Sequence, residues 1–327
     1  MRPVHLAVLL ALNFFWVATL SIYKVIGQYL TPGGIVTLRF GLAGLALLAL
    51  WPWLPGAAPR GRDLLKTLVM GVIVFVLGHR LQVWGNHLGT AANSSILMAV
   101  EPLVTAMGAA IFLREHIGVR RLIGFALGMV GVALVNGVWR EDFKWLSLGA
   151  SLIFMSSFVC EAAYSVISKP ILARAGPLKV LALALALGTV VNLTLDGRET
   201  LAAAAHLPLS AWGLLLVMAL ICTAFGYGFW LVVIRESEVN VAALTVLAQP
   251  VYGVALAALW LGESLHWGQL WGSAVIVAGL FIALSRQIRL PGRDAQHVLA
   301  GPAPATADAV APAAAEKSAP RSQATSH

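Results

Sequence analysis

Residues 78–115, GHRLQVWGNHLGTAANSSILMAVEPLVTAMGAAIFLRE, read as the end of one apolar helix, a short polar turn, and a second apolar helix carrying Glu101-Pro102. The same plan returns at residues 226–263, GYGFWLVVIRESEVNVAALTVLAQPVYGVALAALWLGE. Gly78 and Gly226, Pro102 and Pro250, Glu115 and Glu263, and Gly124 and Gly272 are all separated by the same interval. A gap-free echo through three helices and two loops marks an internal repeat. The chain reads as two copies of one unit.

Working outward, the 327 residues are 59% hydrophobic and 11% charged, with mean hydropathy +0.85. A soluble domain is roughly a quarter charged, so this is the composition of a multi-spanning membrane protein. The net charge of +8 does not point to nucleic acid, because the basic residues sit in short loops where cationic charge sets topology. Cys160 and Cys222 fall inside apolar runs and make neither a disulfide framework nor a metal motif. The first residues, MRPVHLAVLLALNFFWVATLS, lack a small-x-small cleavage site and align with a later helix, so they read as a retained first span.

A span needs about 20 mostly apolar residues. Ten candidates are predicted: 5–27, 33–53, 64–87, 91–113, 118–138, 146–169, 177–195, 210–234, 240–261 and 268–286. Residues 1–138 then form one five-helix repeat and 139–286 the second, while 287–327 form an Ala/Pro-rich disordered tail. With the N-terminus in the cytoplasm, the inner loops and ends hold Arg2, Arg60, Arg62, Lys66, Arg114, Arg120, Arg121, Arg174, Lys179, Arg235, Arg286, Arg289 and Arg293. The outer ones hold only Arg140, Lys144 and Arg198, so both termini are placed in the cytoplasm. An odd number of helices per repeat inverts the second copy, the plan of secondary transporters with a site near the midplane. The fold class is therefore all-α integral membrane, ten helices in two inverted repeats.

The paired segments resemble the EamA family of the drug/metabolite transporter superfamily, bacterial ten-helix permeases of the cell membrane. The likeness rests on Pro102 with Arg114-Glu115, Pro250 with Leu261-Gly262-Glu263, the glycines 124, 128, 131, 272 and 279, and Leu38-Arg39-Phe40. It implies a permease, usually an exporter of amino acids or other small metabolites, working by alternating access without ATP. Arg80 and Glu101 depart from the apolar or small polar residues usual in the family at those positions.

Polar groups inside a bilayer face a cavity or a partner, so they are the first functional candidates. Glu101 lies mid-span, and Pro102 after it leaves carbonyls near position 98 without their helical partners. Glu101 reads either as the ligand of a substrate ammonium or coupling proton, or as half of a buried ion pair. Gln249 holds its place in the second repeat before Pro250 and cannot titrate. The sixth span carries a stripe of Ser157, Glu161, Tyr164, Ser165 and Ser168, for which a pathway and interhelical hydrogen bonding compete. The equivalent first-span face offers Asn13, Trp16, Leu20 and Tyr23. On the third span Arg80, Trp84 and His87 share a face; Arg80 reads as a substrate-carboxylate clamp or as the counter-ion of Glu101 or Glu161. Thr223, Tyr227 and Trp230 form an aromatic edge on the eighth span.

Other charges have plainer readings. Lys24 and Lys169 read as snorkelling, Arg39 as pinning a helix, and Glu115 and Glu263 as packing or gating contacts. The GxxxG pairs Gly124/Gly128 and Gly268/Gly272 suit close helix packing, within the chain or in a homodimer. No HExxH, paired-Asp, Ser/His or Walker A pattern occurs, so no enzyme, catalytic residue, cofactor or metal is expected. The expected partners are a small-molecule substrate and the lipid bilayer. The predicted function is a secondary transporter, probed at Glu101, Glu161, Arg80, Tyr164, Trp16, Trp84, Tyr227, Trp230 and Gln249. An exporter of cationic drugs and a non-transporting scaffold or sensor are the alternatives.

Overall fold

Lipid offers no hydrogen-bond partner to a peptide group, so an apolar chain of this kind must satisfy its backbone within helices. The computed structural model describes residues 3–104, 119–139, 145–236, 242 and 244–284, and these contain helices and no strand. The helices are α1 (Pro3–Ile26), α2 (Pro32–Ala49), α3 (Arg62–Leu88), α4 (Ala91–Val104), α5 (Val119–Val135), α6 (Trp145–Leu172), α7 (Pro177–Ala204), α8 (Leu209–Glu236), α9 (Gln249–Leu261) and α10 (Trp267–Leu284). Six of them, α1, α2, α3, α6, α7 and α8, are long and apolar enough to cross a membrane. Glu115, Arg140, Lys144 and residues 287–327 lie outside the described residues.

Helix ends follow local chemistry. Pro32 opens α2, and Thr31 Oγ1 accepts the Gly34 N–H at 3.1 Å. Thr90 Oγ1 does the same for Asn93 N–H at the start of α4. Two further free N–H groups there, Ala91 and Ala92, donate to the Glu263 carboxylate at 2.8 and 2.9 Å. Gly262, with φ +67°, ends α9 in the left-handed conformation and lets the Glu263 N–H reach the Ala257 carbonyl at 3.1 Å. The Leu-Gly-Glu sequence is thus a helix stop that aims a carboxylate at another helix start. Lys24 is partly buried, and its Nζ donates to carbonyls where α3 ends, His87 at 3.0 Å and Gly89 just beyond at 2.5 Å.

At the other end of α3, Asp63 takes a bidentate Arg174 at 2.8 and 2.9 Å, joining the first turn of α3 to the segment that follows α6. The seventh span runs past residue 195 to Ala204 through a break at Asp196 (φ −145°, ψ 15°).

Packing crosses between the two halves of the sequence: α2 lies on α7, α3 on α6, α4 on α9, α5 on α10, and α1 on α8 and α9. The glycines of α5 and α10 let those two helices approach closely. A Cβ on Gly131 would stand 2.8 Å from the Gly272 carbonyl oxygen, one on Gly272 2.7 Å from that of Gly131, and one on Gly279 2.7 Å from that of Gly124. These glycines are used within the chain, which removes them as a reason to expect a dimer. Gly131→Ala and Gly272→Ala are each expected to destabilise by about 1–3 kcal/mol through overpacking. Gly149→Ala is expected to stabilise by about 0.5–1 kcal/mol, since its Cβ meets nothing within 4 Å among the described residues. Thermal unfolding followed by tryptophan fluorescence in detergent checks all three signs.

Candidate functional site

The helices that line the cavity depart from α-geometry beside it. Pro102 has no N–H, and its ring clashes with the carbonyl four residues back, so α4 tightens to a 3₁₀ turn over Met98–Val100. Pro250 has the same effect: a 3₁₀ turn over Leu244–Ala248 leads into Gln249 and α9. In α3 and α8 the winding instead loosens to π over Ile73–Gly78 and Val217–Phe225. His79 and Tyr227 follow those two stretches.

These breaks surround a cavity of about 690 Å³, counted with its open part, between α1, α2, α3, α4, α6, α8 and α9. Trp16, Glu101, Glu161, Tyr164, Tyr227, Trp230 and Gln249 all line it. The walls are aromatic, with Trp16 set edgewise at 6.2 Å from both Tyr227 and Trp230, and Tyr164 5.5 Å from Tyr227. Trp16 Nε1 donates at 2.8 Å to the Cys222 carbonyl inside the π stretch of α8.

The charges are opposed. Arg39 of α2 is 3% exposed, donates through Nε to Thr223 Oγ1 at 2.9 Å and through Nη1 to the Tyr23 hydroxyl, and lines the cavity. Glu161 contacts the Tyr227 hydroxyl at 3.2 Å and lies 3.5 Å from His79 Nε2. Glu101 has no hydrogen-bond or ion-pair partner among the described residues. Two neutral polar atoms are likewise unpaired there: the Tyr164 hydroxyl and Gln249 Oε1, on side chains 1% and 2% exposed. Gln249 Nε2 is held by Asn13 Oδ1 at 2.6 Å, which fixes the amide plane and points Oε1 away from that bond. A buried, unsatisfied polar atom costs about 1–3 kcal/mol, so these groups mark where water or a ligand completes the site.

Two expected site residues lie elsewhere. Arg80 neither lines the cavity nor pairs with Glu101 or Glu161. Its Nε donates to Asn192 Oδ1 at 2.8 Å and its Nη2 meets Asp196 Oδ2 at 2.8 Å, with Thr37 donating to Asp196 Oδ1 at 2.8 Å. The sequence reading ended the seventh span before Asp196; neutralised by Arg80, that carboxylate stays inside α7. Trp84 is 49% exposed on the outside of the bundle, because α3 turns its cavity face through His79 and Gln82 instead. Within the α6 stripe, Ser157 and Ser168 bond back to their own helix, at Phe154 O and Ser165 O, leaving Glu161, Tyr164 and Ser165 to the cavity. Pro102 and Pro250 are both buried. Arg39 and His79 were the residues undervalued from sequence; an arginine seven residues into an apolar span was the available signal.

Residues 4–137 and 148–285 each match the EamA-like transporter family. The uncharacterized transporter YyaM of Bacillus subtilis (strain 168) is 26% identical over 86% of this chain and 94% of its own length. The probable terminal-alkyne amino-acid exporter of Streptantibioticus cattleyicolor is 27% identical over 80% and 88%. The probable amino-acid metabolite efflux pump of Salmonella typhimurium (strain LT2) is 29% identical over 58% and 65%. One solved crystal structure superposes with a TM-score of 0.60 at 18% identity, covering 89% of this chain and all of that one, and so shares the fold.

The Arg80–Asp196 pair is open to a direct check. Arg80→Ala and Asp196→Ala are each expected to destabilise by about 1–3 kcal/mol, and the double variant by less than their sum, with a coupling of about 0.5–3 kcal/mol. Strict additivity in detergent unfolding would mean that the pair carries no interaction.

Proposed function

The chain belongs to the EamA-like transporter family, and from that premise we propose that it exports amino acids or similar small zwitterionic metabolites across the bacterial inner membrane. It is a multi-pass membrane protein and a transporter rather than an enzyme. In the proposed arrangement ten helices form two inverted five-helix repeats with both termini in the cytoplasm, and the repeats rock about the cavity in alternating access. The pairing of α2 with α7, α4 with α9 and α5 with α10, and of α1 with α8 as α6 with α3, maps onto itself when each helix is exchanged for the one five along, which supports this plan. The two separate family matches support it as well.

The substrate class rests on one observation: the cavity opposes one guanidinium, Arg39, to two carboxylates, Glu101 and Glu161, between indole and phenol walls. Guanidinium is suited to a carboxylate, and two of its five N–H donors are used by Thr223 and Tyr23. A carboxylate and an aromatic face are both suited to an ammonium. An amino acid supplies both charges and an apolar part. Glu101, without a protein partner among the described residues, is the proposed coupling carboxylate.

Reconstituted protein tests this directly, with uptake of a labelled amino-acid panel measured with and without a pH gradient. One proton exchanged per substrate across a one-unit gradient supplies about 1.4 kcal/mol, hence about tenfold accumulation. Glu101→Gln is expected to abolish that accumulation. Uptake indifferent to both gradient and substitution would make Glu101 a structural residue and the protein a uniporter. A folded protein that moved no panel member would end the amino-acid assignment.

A further inference from the structure

His79 and Tyr227 occupy equivalent positions of the two halves, 148 residues apart, and their side chains meet: the Tyr227 hydroxyl lies 2.9 Å from His79 Nε2. The same hydroxyl lies 3.2 Å from Glu161 Oε1. The other ring nitrogen, Nδ1, is 2.9 Å from the Val74 carbonyl, within the π stretch that precedes His79. A carbonyl only accepts, so Nδ1 carries a proton whatever the state of Nε2.

The hydroxyl has a single proton and two acceptor-capable neighbours. Two arrangements satisfy every atom. In one, protonated Glu161 donates to the tyrosine oxygen and the tyrosine donates to bare Nε2. In the other, protonated Nε2 donates to the tyrosine oxygen and the tyrosine donates to the Glu161 carboxylate. They contain the same atoms and the same net charge, and differ only in where two protons sit.

We propose that Glu161, Tyr227 and His79 form a proton relay that converts Glu161 between acid and carboxylate inside the cavity. Glu161 gives its carboxylic proton to the Tyr227 oxygen as Tyr227 gives its own to His79 Nε2. The products are a carboxylate and an imidazolium, and the tyrosine is regenerated. A substrate ammonium arriving at Glu161 favours the carboxylate form, and the proton it displaces is held on His79 rather than lost. Because the His79–Tyr227 contact joins the two halves, the relay is complete only in conformations that hold them together. Its purpose rests on the proton-coupled exporter reading above; its geometry does not.

The charged and titratable groups around the relay come from five helices: Tyr23 from α1, Arg39 from α2, Glu101 from α4, Cys160 and Tyr164 from α6, and Cys222 from α8. Arg39 is the permanent charge among them.

The test is nitrogen NMR of the full-length protein in lipid nanodiscs, labelled with ¹⁵N-histidine, with His79 assigned by its loss in His79→Gln. The wild type is expected to show Nδ1 protonated throughout, and Nε2 titrating over pH. Glu161→Gln and Tyr227→Phe are each expected to move that titration by at least about tenfold in proton affinity, a shift of one pH unit. A shift in Glu161→Gln with none in Tyr227→Phe would reduce the contact to through-space electrostatics and overturn the relay. A bare Nδ1 would overturn it too. Failure of the wild type to move any amino acid would remove the exporter reading, and the NMR arms would still decide the relay.

Discussion

Every peptide group buried in hydrocarbon must find its partner in the chain, and the departures from α-geometry are informative for that reason. The 3₁₀ turns before Glu101 and Gln249 and the π stretches before His79 and Tyr227 border one cavity. Each break frees or redirects carbonyls. Val74 O receives the His79 ring, Cys222 O receives the Trp16 indole, and Met218 O receives the Thr223 hydroxyl that in turn accepts from Arg39. The irregular backbone therefore holds the side chains of the cavity in place.

Charge burial divides into two patterns. Arg80 and Asp196 neutralise each other beside Thr37 and Asn192, away from the cavity, and hold α2, α3 and α7 together. Among the described residues Arg39 has only neutral hydrogen-bond partners, Thr223 and Tyr23, and it shares the cavity with two carboxylates. A pair that satisfies itself is structural. Charges kept apart across an open space are available to a ligand that carries both signs.

The two halves have diverged where the chemistry is richest. Glu101 corresponds to Gln249, and His79 to Tyr227. Positions 148 residues apart thus place an imidazole against a phenol, and a carboxylate and an amide in the lining of one cavity.

Hydropathy alone placed most helix ends within a few residues, as in 64–87 against Arg62–Leu88 and 210–234 against Leu209–Glu236, because the length of apolar run needed to cross lipid is set by the bilayer. It also singled out the Glu-Pro and Gln-Pro breaks, since proline disrupts a helix by local chemistry that needs no tertiary context. Partners could not be read this way. Whether Arg80 faces a cavity or Asp196, and whether Arg39 pins a helix or lines a cavity, depends on the rotation of each helix about its own axis. Tertiary packing sets that rotation: α3 turns Trp84 outward and His79 inward on one regular helical segment, a choice between faces that 3.6-residue periodicity leaves open.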